Sequence, residues 1–121
     1  MQRLSTYMTK MDNRGGFWGI TQNNWAEVNF IETAAKQIRG KHYHKETSEL
    51  FFIISGEIKI VVDNLHSGEH IEFEVTKGDV FIIEPYEIHT FYTKTDSQWI
   101  NMLSKQLDPQ KPDFHQIEVK T

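Results

Sequence analysis

The chain has 121 residues, enough for one hydrophobic core and too few for two ordinary domains. Hydrophobic residues make up 38% of the sequence and charged residues 25%, which is typical of a globular protein and excludes general disorder. The net charge of -4 argues against a nucleic-acid partner, and the absence of cysteine excludes disulfides and thiolate metal ligands, so any metal must be held by nitrogen and oxygen.

Targeting signals are not recognisable in the sequence. No apolar stretch approaches the roughly 18 residues that a membrane span needs. Residues 1–6 are too polar to form the apolar core of a secretory signal. These features favour a cytoplasmic protein with no membrane partner.

The pattern of polar and extended segments predicts three regions. Residues 1–16 are polar and end in a Gly-Gly turn signal, which indicates an N-terminal arm. Residues 17–107 contain the extended runs and are predicted to form a β-barrel. Residues 108–121 are predicted to be a C-terminal tail, because Pro109 and Pro112 cannot continue a strand ladder.

Short extended runs separated by turn residues fill the predicted barrel. The apolar runs 49–55 and 58–63 are joined by Gly56-Glu57, which predicts a hairpin. Apolar and polar residues alternate over 71–76, which indicates a half-buried strand. About nine such strands, with a turn signal roughly every eight to twelve residues, predict an all-β sandwich or barrel.

Two blocks of sequence carry the residues that point to chemistry. His42 and His44 are two residues apart, so in an extended strand their side chains point to the same side. The blocks read His42-x-His44-x4-Glu49-x6-Gly56 and Gly78-Asp79, then Pro85, then His89. This pattern resembles the cupin superfamily, although Tyr86 stands where glycine is common. The resemblance implies a cupin-type double-stranded β-helix, or jelly-roll barrel.

The cupin resemblance also implies a set of metal ligands, namely His42, His44, Glu49 and His89. Imidazole nitrogen and carboxylate oxygen suit divalent zinc, iron, manganese, nickel or cobalt, and four protein ligands leave positions open for substrate or water. The alternative is that the first two histidines are polar residues on a solvent-facing strand, and cupins are also known whose pocket works without metal.

A second resemblance covers residues 39–43 and 55–57 and is to deoxysugar epimerases and ketoisomerases, which are cupins. It implies that His42 is a general base beside a ketone and that Arg39 helps to hold a phosphate. Histidine suits this task because its pKa lies near neutral pH. The enolate formed then needs an electrophile, which is either His44 or a bound divalent ion.

Several other residues are assigned by strand alternation and context. Phe91 shares a strand face with His89 and is predicted, with Phe51, to line the substrate pocket. Three histidines lie in turn or tail segments and are predicted to be solvated: His66, His70 and His115. The segment 17–30 is predicted to be an edge strand, and the cupin resemblance implies that such an edge pairs in a homodimer.

Together these features predict an enzyme that moves a proton beside the carbonyl of a small substrate, such as a sugar or nucleotide-sugar. The reaction would be an isomerisation, epimerisation or dehydration. Two alternatives remain open: a metal-dependent dioxygenase that uses the same ligands, and a non-catalytic cupin that binds a small ligand.

Overall fold

The computed structural model describes residues 1–117, and these residues form eleven β-strands and no helix. The predicted all-β class is therefore confirmed. Within the described residues, no helix is long and apolar enough to cross a membrane. In chain order the strands are β1 (Gln2–Leu4), β2 (Met8–Asp12), β3 (Gly15–Gly19), β4 (Glu27–Thr33), β5 (Ile38–His42), β6 (Glu49–Ser55), β7 (Ile58–Asn64), β8 (His70–Val75), β9 (Val80–Ile83), β10 (Glu87–Thr93) and β11 (Ser97–Leu103).

Two antiparallel sheets enclose the core. The five-stranded sheet has the order β1-β9-β6-β11-β4, and the four-stranded sheet has the order β5-β10-β7-β8. One cluster of buried side chains draws on both sheets, with Phe51, Phe81 and Trp99 from the first and Ile60 and Phe91 from the second. The core therefore lies between the sheets, as in a jelly roll.

The hairpin predicted between residues 49–55 and 58–63 is wrong. Strand β6 pairs with β9 and β11, whereas β7 pairs with β8 and β10, so the two strands belong to different sheets. Gly56 has a φ of 95° and lies against Ser97, where a side chain would collide. The glycine thus allows the chain to turn a corner between the sheets. Local sequence signals a turn there but does not show which strands pair.

Most of the N-terminal segment that was predicted to be an arm lies in β-strands. Strand β1 pairs with β9 and extends the five-stranded sheet, and β2 and β3 form a separate two-stranded sheet. Backbone hydrogen bonds hold these short strands, and most of their side chains are exposed. Their composition is therefore polar, which explains why residues 1–16 do not read as strands.

Strands β5 and β10 place two histidines at one end of the barrel. In the register of this pair, His89 lies opposite His42, and the register shifts between His89 and Thr90. Gly40 has a φ of 99° and lies so close to the His89 carbonyl oxygen that a Cβ atom would collide with it. The close approach of β5 to β10 at this point therefore depends on glycine.

Candidate active site

Four side chains converge at the same end of the barrel. Each of His42, His44, Glu49 and His89 offers one ligand atom, and these atoms all lie within 4.8 Å of one another. The ring centroid of His42 is 4.5 Å from that of His89 and 5.2 Å from that of His44. The structure thus brings together the four residues predicted to hold a metal ion.

These four residues come from both sheets and from the loop between them. His42 ends β5 and His89 lies in β10, both in the four-stranded sheet, whereas Glu49 opens β6 in the five-stranded sheet. His44 lies beyond the end of β5, where its backbone carbonyl accepts a hydrogen bond from the Tyr86 amide (2.7 Å). Tyr86 has a φ of 64°, a left-handed conformation usually left to glycine. The chain stays extended enough for both histidines to face the same side, as predicted.

The four residues lie in a cavity of about 740 Å³. Phe51 and Phe91 are each 3% exposed and contribute to its wall, with ring centroids 4.9 Å apart. Arg39 also borders the cavity, and its guanidinium donates hydrogen bonds to Thr33 Oγ1 (2.6 Å) and to the Glu32 carbonyl (3.1 Å). All three residues predicted to touch substrate therefore border the cavity, and their contact with substrate stays a prediction.

Glu49 is held in place by hydrogen bonds to both carboxylate oxygens. Its Oε1 contacts His44 Nε2 and lies 3.5 Å from His89 Nε2. Its Oε2 accepts a hydrogen bond from the side-chain amide of Asn101 (2.6 Å), whose own oxygen accepts one from Asn29 (2.9 Å). Sequence reasoning missed Asn101. The signal was a polar residue at an inward-facing position of β11, between buried Trp99 and Leu103.

Burial and neighbouring charges shift the pKa values of the three histidines in different directions. Burial, together with the charge of His89, lowers the pKa of His42 to about 4. Burial also lowers the pKa of His89. For His44, burial acts in the same direction, but the hydrogen bond and charge of Glu49 outweigh it and raise the pKa. At neutral pH, His42 and His89 are therefore neutral, with ring nitrogens free to bind a metal ion or accept a proton.

The Glu49 carboxyl group remains ionised in spite of its burial. Burial raises its pKa, but the hydrogen bond from His44 and the nearby histidine charges more than offset this effect, so that the pKa is lowered. Without an ion, both ring nitrogens of His44 face acceptors, the Asp113 carbonyl and the Glu49 carboxylate, so this geometry places a proton on each of them.

The C-terminal segment forms part of the cavity, which the sequence did not indicate. Residues 106–108 and 111–115 border it, and the ring of Phe114 lies 4.4 Å from that of His42. His115 was predicted to be solvated, but its side chain is only 31% exposed and its backbone pairs with Tyr43. The side chain is therefore only partly solvated, because the tail folds back across the barrel end. Residues 118–121 of the predicted tail lie outside the described residues.

A family model described as "Polysaccharide biosynthesis C-terminal domain" matches residues 10–115. No curated protein matches the sequence. Among solved structures, the capsular polysaccharide assembling protein CapF from Staphylococcus aureus is 26% identical, with a TM-score of 0.71. The match covers 93% of this chain and 34% of CapF, so the chain spans about a third of that protein.

Two further similar structures are sugar-modifying enzymes by their names. The sugar 3,4-ketoisomerase QdtA from Thermoanaerobacterium thermosaccharolyticum, in complex with TDP, is 18% identical with a TM-score of 0.79, over 93% of this chain and 85% of QdtA. A dTDP-4-dehydrorhamnose 3,5-epimerase from Sulfolobus tokodaii is 22% identical with a TM-score of 0.75, over 84% of this chain and 69% of the epimerase. At this level of identity these likenesses show the fold, and they confirm the cupin-type jelly roll.

Proposed function

Because the chain belongs to the polysaccharide biosynthesis C-terminal domain family, we propose that it is an enzyme that epimerises or isomerises a keto-sugar by moving a proton beside the carbonyl group. The sugar would be carried as a nucleotide-sugar. A divalent metal ion would be held by His44, Glu49 and His89, and His42 would be either a fourth ligand or the base that takes the proton. The observation that carries the proposal is the convergence of these four side chains inside the cavity.

The four residues fit a divalent ion in both donor chemistry and orientation. The Nδ1 atoms of His44 and His89 lie against the backbone carbonyls of Asp113 and Glu87, the latter at 3.2 Å. A carbonyl oxygen can only accept, so each Nδ1 carries the proton and each Nε2 faces the centre of the site. Three imidazoles and one carboxylate form a nitrogen and oxygen set suited to zinc, iron, manganese, nickel or cobalt.

In the proposed proton transfer, the ion and the protein side chains would have different roles. When bound, a divalent ion would polarise the substrate's carbonyl oxygen and make the neighbouring C–H group more acidic. His42 is neutral at pH 7 and can take a proton, but burial and the charge of His89 lower its pKa to about 4, so it is a weaker base than a free imidazole. A ring nitrogen that binds an ion cannot accept a proton at the same time, so His42 acts either as the fourth ligand or as the base. Phe51 and Phe91 give this part of the cavity an apolar wall, which would limit the access of water to the reacting carbonyl group.

Cationic side chains at the cavity rim suit the phosphate groups of a substrate. Four cationic side chains border the cavity, Arg39, Lys45, Lys105 and Lys111, together with four acidic ones, Glu46, Glu49, Asp108 and Asp113. Lys105 is paired with Glu46 (3.3 Å). The diphosphate of a nucleotide-sugar would be held by individual cationic side chains such as Arg39 and Lys45, through charge-assisted hydrogen bonds. The names of QdtA and of the S. tokodaii epimerase, which refer to sugar ketoisomerisation and to a dTDP-sugar, agree with this substrate class.

Deuterium incorporation tests the proposed reaction directly. The protein is loaded with each candidate divalent ion and incubated in D₂O with nucleotide-linked 4-keto-sugars, and the substrate is followed by NMR and mass spectrometry. Proton transfer beside the carbonyl predicts exchange of the adjacent C–H and inversion or migration of the keto group. The change His42→Ala should abolish exchange, whereas His70→Ala, at an exposed position of strand β8, should leave it unchanged.

The same experiment separates the alternative functions. Substrate binding without deuterium exchange would refute the enzyme proposal in favour of a non-catalytic binding protein. Bound iron together with consumption of oxygen would refute it in favour of a dioxygenase. Full activity in protein stripped of metal by a chelator would leave the isomerase in place but refute the four-ligand metal site.

A further inference from the structure

The side chain of Asp113 fastens the C-terminal segment to the loop that carries His44. Its carboxylate accepts hydrogen bonds from the backbone amides of Lys45 and Glu46 (both 2.8 Å) and from Thr47 Oγ1 (2.9 Å). His115 Nε2 approaches the same carboxylate at 3.1 Å. Although burial raises its pKa, the two backbone hydrogen bonds in particular hold the pKa of Asp113 well below its ordinary value. The group is a carboxylate, and its hydrogen bonds are charge-assisted.

A second attachment secures the segment immediately after Asp113. The Tyr43 amide donates to the His115 carbonyl (2.9 Å), and the His115 amide donates to the Tyr43 carbonyl (3.0 Å). This pair of hydrogen bonds forms an antiparallel bridge beside His44. The segment is therefore fixed on both sides of His44 along the chain, at Tyr43 and at 45–47.

These attachments determine where the backbone carbonyl of Asp113 lies. It accepts a hydrogen bond from His44 Nδ1, and on the opposite edge of the same ring Nε2 faces Glu49. The ring thus spans the distance between the C-terminal segment and the centre of the site. A displacement of Asp113 would release Nδ1 and leave the ring free to rotate or to move its proton.

We propose that Asp113 is a positioning residue for His44: its carboxylate anchors the loop, and its carbonyl holds the His44 ring with the proton on Nδ1 and with Nε2 directed to the metal site. This inference rests on the proposed function, because the orientation of Nε2 matters only if the ring binds the ion. Loss of a partner of this kind typically weakens metal binding by about 10-fold to 100-fold.

The test uses the His44 Nδ1 proton, which is observable with or without metal. In ¹H–¹⁵N spectra, this proton should be protected from exchange with water in the wild-type protein, since it is hydrogen-bonded to Asp113. In Asp113→Ala, protection of the proton should fall to that of a solvent-accessible imidazole, and zinc affinity should fall by about 10-fold to 100-fold. Asp113→Asn retains an acceptor oxygen without the charge, so its proton protection and zinc affinity should lie between those of the wild type and the alanine variant. It replaces the alanine variant in the test if that variant does not fold.

A matched control is Asp12→Ala. Asp12 also accepts a backbone hydrogen bond within a turn, from the Arg14 amide (2.8 Å), but it lies in the β2–β3 hairpin. Its removal should change neither the His44 proton nor zinc affinity. Unchanged protection of the proton in Asp113→Ala or Asp113→Asn would overturn the inference. If wild-type protein bound no metal, the metal-site proposal would fail. The protection of the His44 Nδ1 proton would still show whether Asp113 holds the ring.

Discussion

Replacing Asn101 by leucine should weaken binding of a divalent ion at the proposed metal site without disturbing the surface of the protein. Asn101 is 6% exposed and donates a hydrogen bond to Glu49 Oε2, the oxygen that faces away from the histidines. Leucine has a similar size but cannot donate, so it would leave a buried carboxylate oxygen without a partner. Hydrogen bonds to charged groups contribute about 1.5–3 kcal/mol.

This energy sets the size of the expected effect. Part of it would appear as lower stability of the metal-free protein, because the unpaired oxygen costs free energy there as well. The remainder would appear as a lower affinity for a divalent ion, since Glu49 would be less firmly oriented. Because each factor of ten in affinity is about 1.4 kcal/mol, an equal division of the energy predicts a loss of affinity of at most about 10-fold. The assays are chemical denaturation of the metal-free protein and calorimetric titration with zinc.

The matched control is Gln98→Leu. Gln98 lies on the same strand, β11, but three residues away on the opposite face, where its side chain contacts Ser55 and Glu32. That variant should keep the wild-type zinc affinity. The reasoning would be refuted if Asn101→Leu folded with the stability and zinc affinity of the wild type, because Glu49 would then not depend on Asn101.

Two further predictions concern backbone packing and protonation at the site. In denaturant titrations, Gly40→Ala should destabilise the protein more than Gly68→Ala. Both glycines have positive φ, a conformation that costs other residues about 1–3 kcal/mol. Only at Gly40 would the added Cβ also meet the His89 carbonyl. Equal losses would contradict the steric argument. In NMR titrations of metal-free protein, His42 should titrate near 4, because of burial, and His70 above 6.5, because of its hydrogen bond to Asp63. Because the pKa of His42 is lower in the folded state than in the unfolded state, His42 should lower the stability of the protein as the pH falls from about 6.5 to 4. A titration midpoint of His42 near 6.5 would contradict this expectation.

The strands and the four converging residues could be predicted because their signals are local or lie at fixed spacings. Alternation of Ile71, Phe73 and Val75 with acidic residues marks a half-buried strand wherever it pairs. The two cupin motifs similarly include His89 with His42, His44 and Glu49, because they encode strands that are neighbours in the folded barrel. These inferences did not require knowledge of the complete pairing order.

The missed features depend on contacts between distant parts of the chain. The corner at Gly56 reads as an ordinary turn, and only the pairing of β6 and β7 with other strands shows that it joins two sheets. Asp113 follows a proline in a polar segment, so nothing in its surroundings indicates that it reaches back to residues 44–47. Asn101 is similar, because an inward polar residue becomes informative only when Glu49 is known to lie opposite it.

The division of the four site residues between two sheets has a mechanical consequence. Glu49 belongs to one sheet, and His42 and His89 belong to the other, so an ion bound to all of them would act as a cross-link between the two halves of the barrel. Separating the sheets would then require release of the ion. At a free ion concentration 100 times the Kd, this linkage would add about 2.7 kcal/mol to the free energy of unfolding. Hydrogen exchange at the strands flanking the mouth of the barrel would slow accordingly, so that occupancy of the site would set how often the barrel opens.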